Sequence, residues 1–477
     1  MNKLSIISIL ISSILLTSTT NIISASSIQY KNKLTSESVA VAQTESEKAN
    51  ALFEEIFMSA VMRSPISQSS LGIKKDQDQW GDFSEARNLE NHDIAIANLA
   101  KVKAINANKL DEQTQVSLRL QIQSIEEDIA DFKWRHHNYP LHQMRGTHTL
   151  VPSMLINQHL IADVKDAEDY ISRLNAVPKL FSQVIDGLNI REEKGIIAPK
   201  FVYPYVISDS TNIITGAPFD KGEDSTLLAD FRKKIDALDV DKSKKDQLMA
   251  EVIKALKSSV KPGYEKLIAA VQKLEKKADS RDGVWKFPEG KAFFDNALAR
   301  TTTTKLTTVE IHEIGLKEVA RIHDEMRLIM NKVKFDGDLV AFFDFMRKDK
   351  QFYYDETEEG KARYLSEATT LIEEMKSRLD EVFIVKPKAE LNVKAVESFR
   401  EKSAGKAFYQ RPSMDGTRPG IYYANLYKMS DMPIYQMAAL AYHEGIPGHH
   451  MQLAIAGELQ DLPKFRKFGR YIAYSNS

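Results

Sequence analysis

Cysteine is absent from this sequence of 477 residues, and its absence excludes several kinds of chemistry at once. The chain can form no disulfide, no thiolate zinc site, no cysteine nucleophile and no acylated lipoprotein cysteine. Any metal ion that side chains bind must therefore be held by histidine, aspartate or glutamate.

Net charge is also nearly absent, since 65 basic residues face 66 acidic ones. This balance argues against a basic face for nucleic acid. A hydrophobic content of 43% and a charged content of 27% are typical of a globular chain with ample material for a core. Glycine-rich nucleotide-binding motifs and a G-x-S-x-G nucleophile motif are missing. We expect no nucleic-acid partner.

The one long apolar run lies at the N-terminus. Lys3 precedes the apolar residues 4–16, and the small residues Ser24 and Ala25 precede Ser26. This order is typical of a secretory signal peptide, and the run is shorter than the roughly 20 residues that span a bilayer. We predict a signal peptide over 1–25 and a flexible polar segment over 26–45. The mature chain is then exported, soluble and without a membrane span, with the periplasm as its predicted location.

Apolar residues at helical spacing dominate the rest of the chain. Helices are predicted over 46–63, 84–105, 110–134, 164–193, 224–276, 308–333, 338–348, 357–382 and 393–402. Thr307 and Glu310 have the spacing of a capping box at the start of one of them. Only 199–208 and 406–410 have the composition of strands. The predicted fold class is mostly α, with few short strands.

The densest cluster of reactive side chains lies near the end of the chain. His443, Glu444, His449 and His450 fall within eight residues, between two apolar helical segments. The pattern has the first half of the zinc-binding H-E-x-x-H helix, but Pro447 stands where the second histidine belongs. On a straight helix His449 would point to another face, and His450 would lie about 10.5 Å further along the axis. A break at Pro447 and Gly448 would allow the imidazoles to converge.

These residues resemble the bacterial family named for domain of unknown function 885. The motif is His443-Glu444-x-x-Pro447-Gly448-His449-His450-x-Gln452, preceded by Arg418-Pro419-Gly420-x-Tyr422 and Asn425. The resemblance extends to Ser64-Pro65, Leu71-Gly72, Gly283-Val284-Trp285 and the stretch from Thr302 to Glu318. It implies a large multi-helix metallopeptidase-like domain of the gluzincin type over 46–477, with a deep cleft for a peptide substrate.

The resemblance also implies roles for individual residues. His443 and His449 are the expected zinc ligands, and His450 is either an alternative ligand or a neighbour that supports one. Glu444 is the expected general base. Arg418, Tyr422 and Tyr423 are candidates to stabilise an oxyanion or to hold a substrate carboxylate. The alternatives are structural: Arg418 could form an ion pair that orders its loop, and the two tyrosines could pack in the core.

The family pattern continues with a Glu-Gly-Trp-Ala-Leu-Tyr segment, whose glutamate would be a third ligand, and this chain lacks it. We therefore expect a domain that is cut short at its C-terminal end. Glu458 is a poor substitute, since on a continuing helix it lies about 12 Å beyond His450. Catalytic zinc sites normally use three protein ligands, so the expected activity of this chain is doubtful.

Two other groups of histidines have weaker patterns. His136, His137, His142 and His148 fall in an irregular stretch, residues 135–152. They could line the cleft or bind metal, but we predict a solvated loop, because their spacing fits no helix or turn template. His312 and His323 lie about three helical turns apart, too far to share one ion. The main hypothesis is an exported zinc-dependent metallopeptidase, a hydrolase with Glu444 as general base. The alternatives are an inactive peptide- or ligand-binding protein on the same fold, or a metal-dependent hydrolase of another amide or ester.

Overall fold

Helices form most of the described structure, as the periodicity predicts: 64% of the described residues are helical and 5% are in strands. The structure, a computed structural model, describes residues 43–469. The predicted signal peptide and nearly all of the predicted flexible segment lie outside the described residues. Residues 44–469 belong to one compact unit. None of the described helices combines the length and the apolar character needed to cross a membrane.

Ten helices come before residue 276: α1 (Glu45–Met62), α2 (Pro65–Leu71), α3 (Glu85–Lys103), α4 (Glu112–Asp131), α5 (Thr147–Asn157), α6 (Val164–Glu193), α7 (Val202–Ile213), α8 (Thr226–Asp236), α9 (Lys242–Ala255) and α10 (Lys261–Glu275). A short hairpin, β1 (Leu141–His142) and β2 (Arg145–Gly146), precedes α5. The largest core is formed mainly by the helices α5 to α10. Its centre is α6, where Tyr170, Leu174, Val177 and Phe181 are fully buried.

The second half of the described chain holds α11 (Gly290–Thr302), α12 (Thr308–Lys332), α13 (Leu339–Lys348), α14 (Glu358–Arg378), β3 (Leu391–Ala395), β4 (Ala407–Gln410), β5 (Gly420–Ala424), α15 (Ile434–Glu444), α16 (His449–Glu458) and α17 (Lys464–Phe468). A second core joins α14, α15 and α16 to one face of the sheet. Phe465 of α17 packs with α1 and α4 in a third core.

The three-stranded sheet has β5 at its centre, parallel to β3 and antiparallel to β4. Every residue of β5 is buried. Side chains alternate between the faces of a strand, so Tyr422 and Ala424 join the second core whereas Ile421 and Tyr423 join a small cluster on the opposite face. The register pairs Tyr422 with Val393 on one side and with Tyr409 on the other.

Two of the predicted elements are of the wrong type. The predicted strand 199–208 lies largely within helix α7, which buries Val202, Val206 and Ile213 at helical spacing against α5 and α10. The predicted helix 393–402 is instead the end of β3 and a series of turns, because β5 pairs with residues 391–395. At both positions burial against distant elements overrides local propensity. The predicted helical stretch 224–276 is confirmed, apart from a loop at 237–241.

Candidate functional site

Helix α15 carries the first half of the motif. It buries Met437, Ala441 and Glu444 at i, i+4 and i+7 and packs against α14. Its N-cap is Pro433, whose side chain forms no capping hydrogen bond. The helix ends at Glu444, directly after His443.

The break predicted at Pro447 and Gly448 is confirmed, because α15 stops at Glu444 and α16 begins at His449. The turn is closed by main-chain bonds: the Gly448 N–H donates to the Tyr442 carbonyl at 2.9 Å, and the His450 N–H donates to the Gly445 carbonyl at 3.0 Å. Gly448 lies so close to α15 that a Cβ there would be 2.0 Å from the His443 carbonyl oxygen. A side chain at position 448 is therefore incompatible with this turn.

The turn brings His443 and His449 together. Their ring centroids are 4.7 Å apart, with the ring planes at 76° to one another. The His443 side chain is exposed and that of His449 is half-buried. Burial, with a smaller contribution from the charge of His443, lowers the pKa of His449. A neutral imidazole is the form that binds metal ions.

Glu444 lies next to this pair, on the buried side of α15. Only 7% of the residue is exposed. Burial raises the pKa of its carboxyl group, and the neighbouring charge of His443 partly offsets that rise. The charge of Glu444 contributes in turn to the raised pKa of Tyr422, after the larger effects of burial and of Tyr364. The charge of the carboxyl group therefore acts on the Tyr422 hydroxyl, and both residues are buried.

His450 has a different environment from the other two histidines. It is 1% exposed, and its Nε2 lies 2.9 Å from the Ala389 carbonyl oxygen. A carbonyl only accepts, so Nε2 carries the proton and Nδ1 accepts from the Tyr409 hydroxyl at 3.0 Å. Gly420 allows this approach, since a Cβ there would be 2.5 Å from Nδ1. With both ring nitrogens bonded inside the protein, His450 anchors α16 to the strands.

The two tyrosines of β5 point in opposite directions. Tyr422 is fully buried on the face that packs against α14, α15 and α16, where the charge of Glu444 acts on it. Tyr423 stacks on Phe408 with ring centroids 4.8 Å apart and lies beside the guanidinium group of Arg400. The strand therefore places only Tyr422 beside the motif.

Arg418 is buried and joins its loop to helix α2. Its two terminal nitrogens donate to the carbonyl oxygens of Ser69 and Ser70, at 3.3 and 2.7 Å. The Met414 N–H donates to the Leu71 carbonyl in the same contact. Burial lowers the pKa of Arg418. These bonds order the loop, which is the structural role left open by the sequence.

Tyr409 belongs to the site and was missed by sequence reasoning. Its ring stacks on His449 at a centroid distance of 6.3 Å, while its hydroxyl is bonded to His450. The sequence predicts a strand at 406–410 but contains no signal for its partner. The pairing of Tyr409 with Tyr422 across the sheet is what places it here.

The histidines of 135–152 do not form the predicted solvated loop. His136 and His148 are 5% and 0% exposed, and residues from 147 onward form α5. Burial lowers the pKa of His148 to about 3. Its Nε2 lies 3.9 Å from Asp209, which accepts a hydrogen bond from Ser403 at 2.5 Å. His148 is a core histidine of the helical bundle.

The described side chains supply some, but not all, of the ligands that a catalytic zinc ion needs. His443 and His449 supply two converging imidazoles, but the described residues contain no group of three or more His, Cys, Asp or Glu able to hold a metal ion. Glu458 does not contribute, since its carboxylate accepts from the N–H groups of Lys388 and Ala389 at 2.8 and 3.2 Å. A catalytic zinc site needs one more protein ligand than this pair.

Two solved structures share this fold. The putative lipoprotein from Colwellia psychrerythraea is 23% identical with a TM-score of 0.81, and the match covers 91% of this chain and 76% of that one. A putative lipoprotein of unknown function from Shewanella oneidensis is 15% identical with a TM-score of 0.57, over 91% of this chain and 77% of that one. No curated protein matches.

A family model described as "bacterial protein of unknown function (DUF885)" matches residues 65–476. The matched region contains the whole motif, the Arg418 loop and all three strands of the larger sheet. The chain belongs to the DUF885 family of bacterial proteins.

Proposed function

We propose that this protein is an exported, zinc-dependent peptidase in which His443 and His449 are two of the metal ligands. One observation carries the proposal: a turn built from Gly445 and Gly448 brings the two imidazoles to a centroid distance of 4.7 Å beside a buried carboxyl group. The helical repeat would not bring these two histidines and the glutamate together; the backbone turn does. Packing alone does not explain such a turn.

Each neighbouring residue then has a task. Zinc, when bound, would act as a Lewis acid towards a substrate carbonyl. Glu444 would take a proton from the attacking water, a role that suits a carboxyl group whose pKa is raised by burial. Tyr422 would donate its hydroxyl proton as a hydrogen bond to the developing oxyanion. His450 and Arg418 position the elements of the site, and Tyr423 serves the other face of the sheet.

Strand β3 favours a peptide as the substrate. Within the described residues β5 is the only strand that pairs with it, and Asn392, Lys394 and Ala395 are exposed along it. The strand begins beside the motif, where the side chain of Leu391 lies against Gly445 and the Ala389 carbonyl accepts from His450. An extended peptide could add to this edge by main-chain hydrogen bonds. The deep cleft that the family resemblance implies would hold this peptide, and it is part of the proposal.

The N-terminal sequence supports export to the periplasm, because a short apolar run is followed by small residues. The names of the two structural relatives, both putative lipoproteins, are consistent with an exported protein.

A second candidate is a non-catalytic peptide-binding protein, favoured by the absence of a third metal donor among the described residues. A metal-dependent hydrolase of another amide or ester would use the same residues as the peptidase.

The test compares zinc content and peptide turnover in four chains. The parent should bind one zinc ion per chain and cleave peptides, and Glu444→Gln should keep the zinc and lose turnover. His443→Ala should weaken zinc binding more than about a hundredfold, whereas His312→Ala, an exposed histidine on α12, should change neither property. Zinc binding that survives His443→Ala, or turnover that survives Glu444→Gln, would refute the assigned roles. A parent that binds peptide but no zinc would establish the second candidate.

A further inference from the structure

Helix α12 is amphipathic, but the described residues leave its apolar side largely uncovered. Of its 25 residues only Met330 is buried. The apolar stripe consists of Ile311, Gly315, Val319, Ile322, Met326, Ile329 and, just after the helix, Val333. Val319, Ile322, Ile329 and Val333 are 50%, 38%, 51% and 58% exposed. Exposed apolar stripes of this kind mark interaction surfaces.

Packing among residues 43–469 accounts for only one side of this helix. Its neighbour α13 contacts it, and the His323 ring lies 6.1 Å from that of Phe343 on α13. Met330, the one buried residue of α12, lies on the same side of the helix as His323. The stripe lies beside these two residues and is exposed within the described part of the chain. At Gly315 a Cβ would meet nothing within 4 Å.

The spacing within the stripe indicates what kind of element covers it. From Gly315 to Val333 the positions are separated by 4, 3, 4, 3 and 4 residues. This alternation is that of a helix packing along another helix, with side chains of one fitting between those of the other. The partner is therefore a helix about as long as α12.

The charges of α12 favour a second copy of the same helix. Its first half, residues 308–320, holds three acidic residues and one basic residue, and its second half, residues 321–332, holds three basic and two acidic residues. An antiparallel pair places each acidic half against a basic half, whereas a parallel pair places like against like. A two-fold contact of this kind is self-complementary.

We propose that two copies of this chain associate through antiparallel packing of their α12 stripes. In this arrangement Val319 of one copy lies opposite Ile329 of the other, and Ile322 lies opposite Met326. Glu318 of each copy comes within a turn of Lys332 in its partner. The interface is one helix wide, so the dimer is weak and concentration-dependent. The inference is independent of the metal site.

Sedimentation equilibrium of the purified chain tests the association, over concentrations from about 1 μM to about 1 mM. We expect a monomer–dimer equilibrium. Ile322→Asp should raise the dimer dissociation constant about tenfold or more. Ile96→Asp, the same change at a 49% exposed position on α3, should leave it unchanged. A chain that stays monomeric throughout, or an Ile322→Asp variant that dimerises like the parent, overturns the proposal.

The orientation can be tested because the chain has no cysteine of its own. Chains with Val319→Cys and with Ile329→Cys are mixed and oxidised mildly. Antiparallel packing predicts disulfides between the two kinds of chain. Chains of one kind should not link, since their introduced sulfurs would be separated by about 15 Å along the axis. A disulfide needs Cα atoms within about 7 Å. Efficient linking of Ile329→Cys chains to one another would overturn the arrangement.

Discussion

Gly448→Ala is the sharpest test of the turn that forms the candidate site. A Cβ at this position would stand 2.0 Å from the His443 carbonyl oxygen and 2.4 Å from that of Tyr442. Both obstacles are main-chain atoms of α15, so no side-chain rotation can relieve the contact. The chain must open the turn, and the bond from the Gly448 N–H to the Tyr442 carbonyl is then lost.

The cost follows from these contacts. Inserting a methyl group into a closely packed site typically costs 1–3 kcal/mol, and losing the hydrogen bond adds about 1 kcal/mol. Because the obstacles are rigid, we expect Gly448→Ala to lower the free energy of unfolding by about 3 kcal/mol. Opening the turn also separates the two imidazoles, so zinc affinity should fall together with stability.

Urea unfolding followed by circular dichroism measures the first effect, and a zinc titration measures the second. Gly315→Ala is the matched control, because its Cβ would meet nothing within 4 Å in the middle of α12. That change should raise stability by up to about 1 kcal/mol, as alanine does for glycine in a helix. If Gly448→Ala unfolds with the free energy of the parent, the turn is not the one described and the convergence of the histidines loses its basis.

Three further predictions concern residues around the site and in the bundle. Tyr422→Phe should lower peptide turnover about a hundredfold, whereas Tyr423→Phe, on the other face of the sheet, should leave turnover unchanged; steady-state kinetics of both variants decides. Arg418→Ala should lower the free energy of unfolding, measured with urea, by about 2 kcal/mol, because two carbonyl groups lose a charged donor. Arg418→Lys should not restore that stability, since one ammonium group cannot replace the two donors of the planar guanidinium. His148 stays neutral in the folded chain down to a pKa of about 3, while in the unfolded chain it takes up a proton below its ordinary value of 6.5. Its contribution to stability is therefore lost as pH falls from 6.5 towards 3, by about 2 kcal/mol between pH 7 and pH 5. His148→Gln should lose that much less over the same interval, and equal pH dependence in urea titrations of the two chains would contradict the burial argument.

Sequence patterns predicted the secondary structure correctly where neighbouring residues in the chain determine it. The amphipathic period predicts α6 over 164–193, and the helix spans Val164–Glu193. The capping box of Thr307 and Glu310 is confirmed at the start of α12. The helix break is confirmed as well, since proline and glycine act on the backbone of their own turn.

Predictions failed where a distant element decides the conformation. Residues 199–208 have the composition of a strand, yet they enter helix α7 because its buried side fits against α5 and α10. Residues 393–395 look helical in sequence, but β5 provides a strand with which they pair. Neither partner can be recognised in the local sequence.

The amino-acid sequence by itself determined the family, the helical class and the residues of the motif, because these depend on composition, period and local backbone chemistry. Only the tertiary structure decided what each residue does. It placed Tyr422 on the face that packs against α14, α15 and α16 and Tyr423 on the opposite face, joined Arg418 to the carbonyl oxygens of Ser69 and Ser70, and occupied both nitrogens of His450. Each of these outcomes depends on contacts between residues far apart in the chain, and the direction of a side chain is settled only when those contacts form.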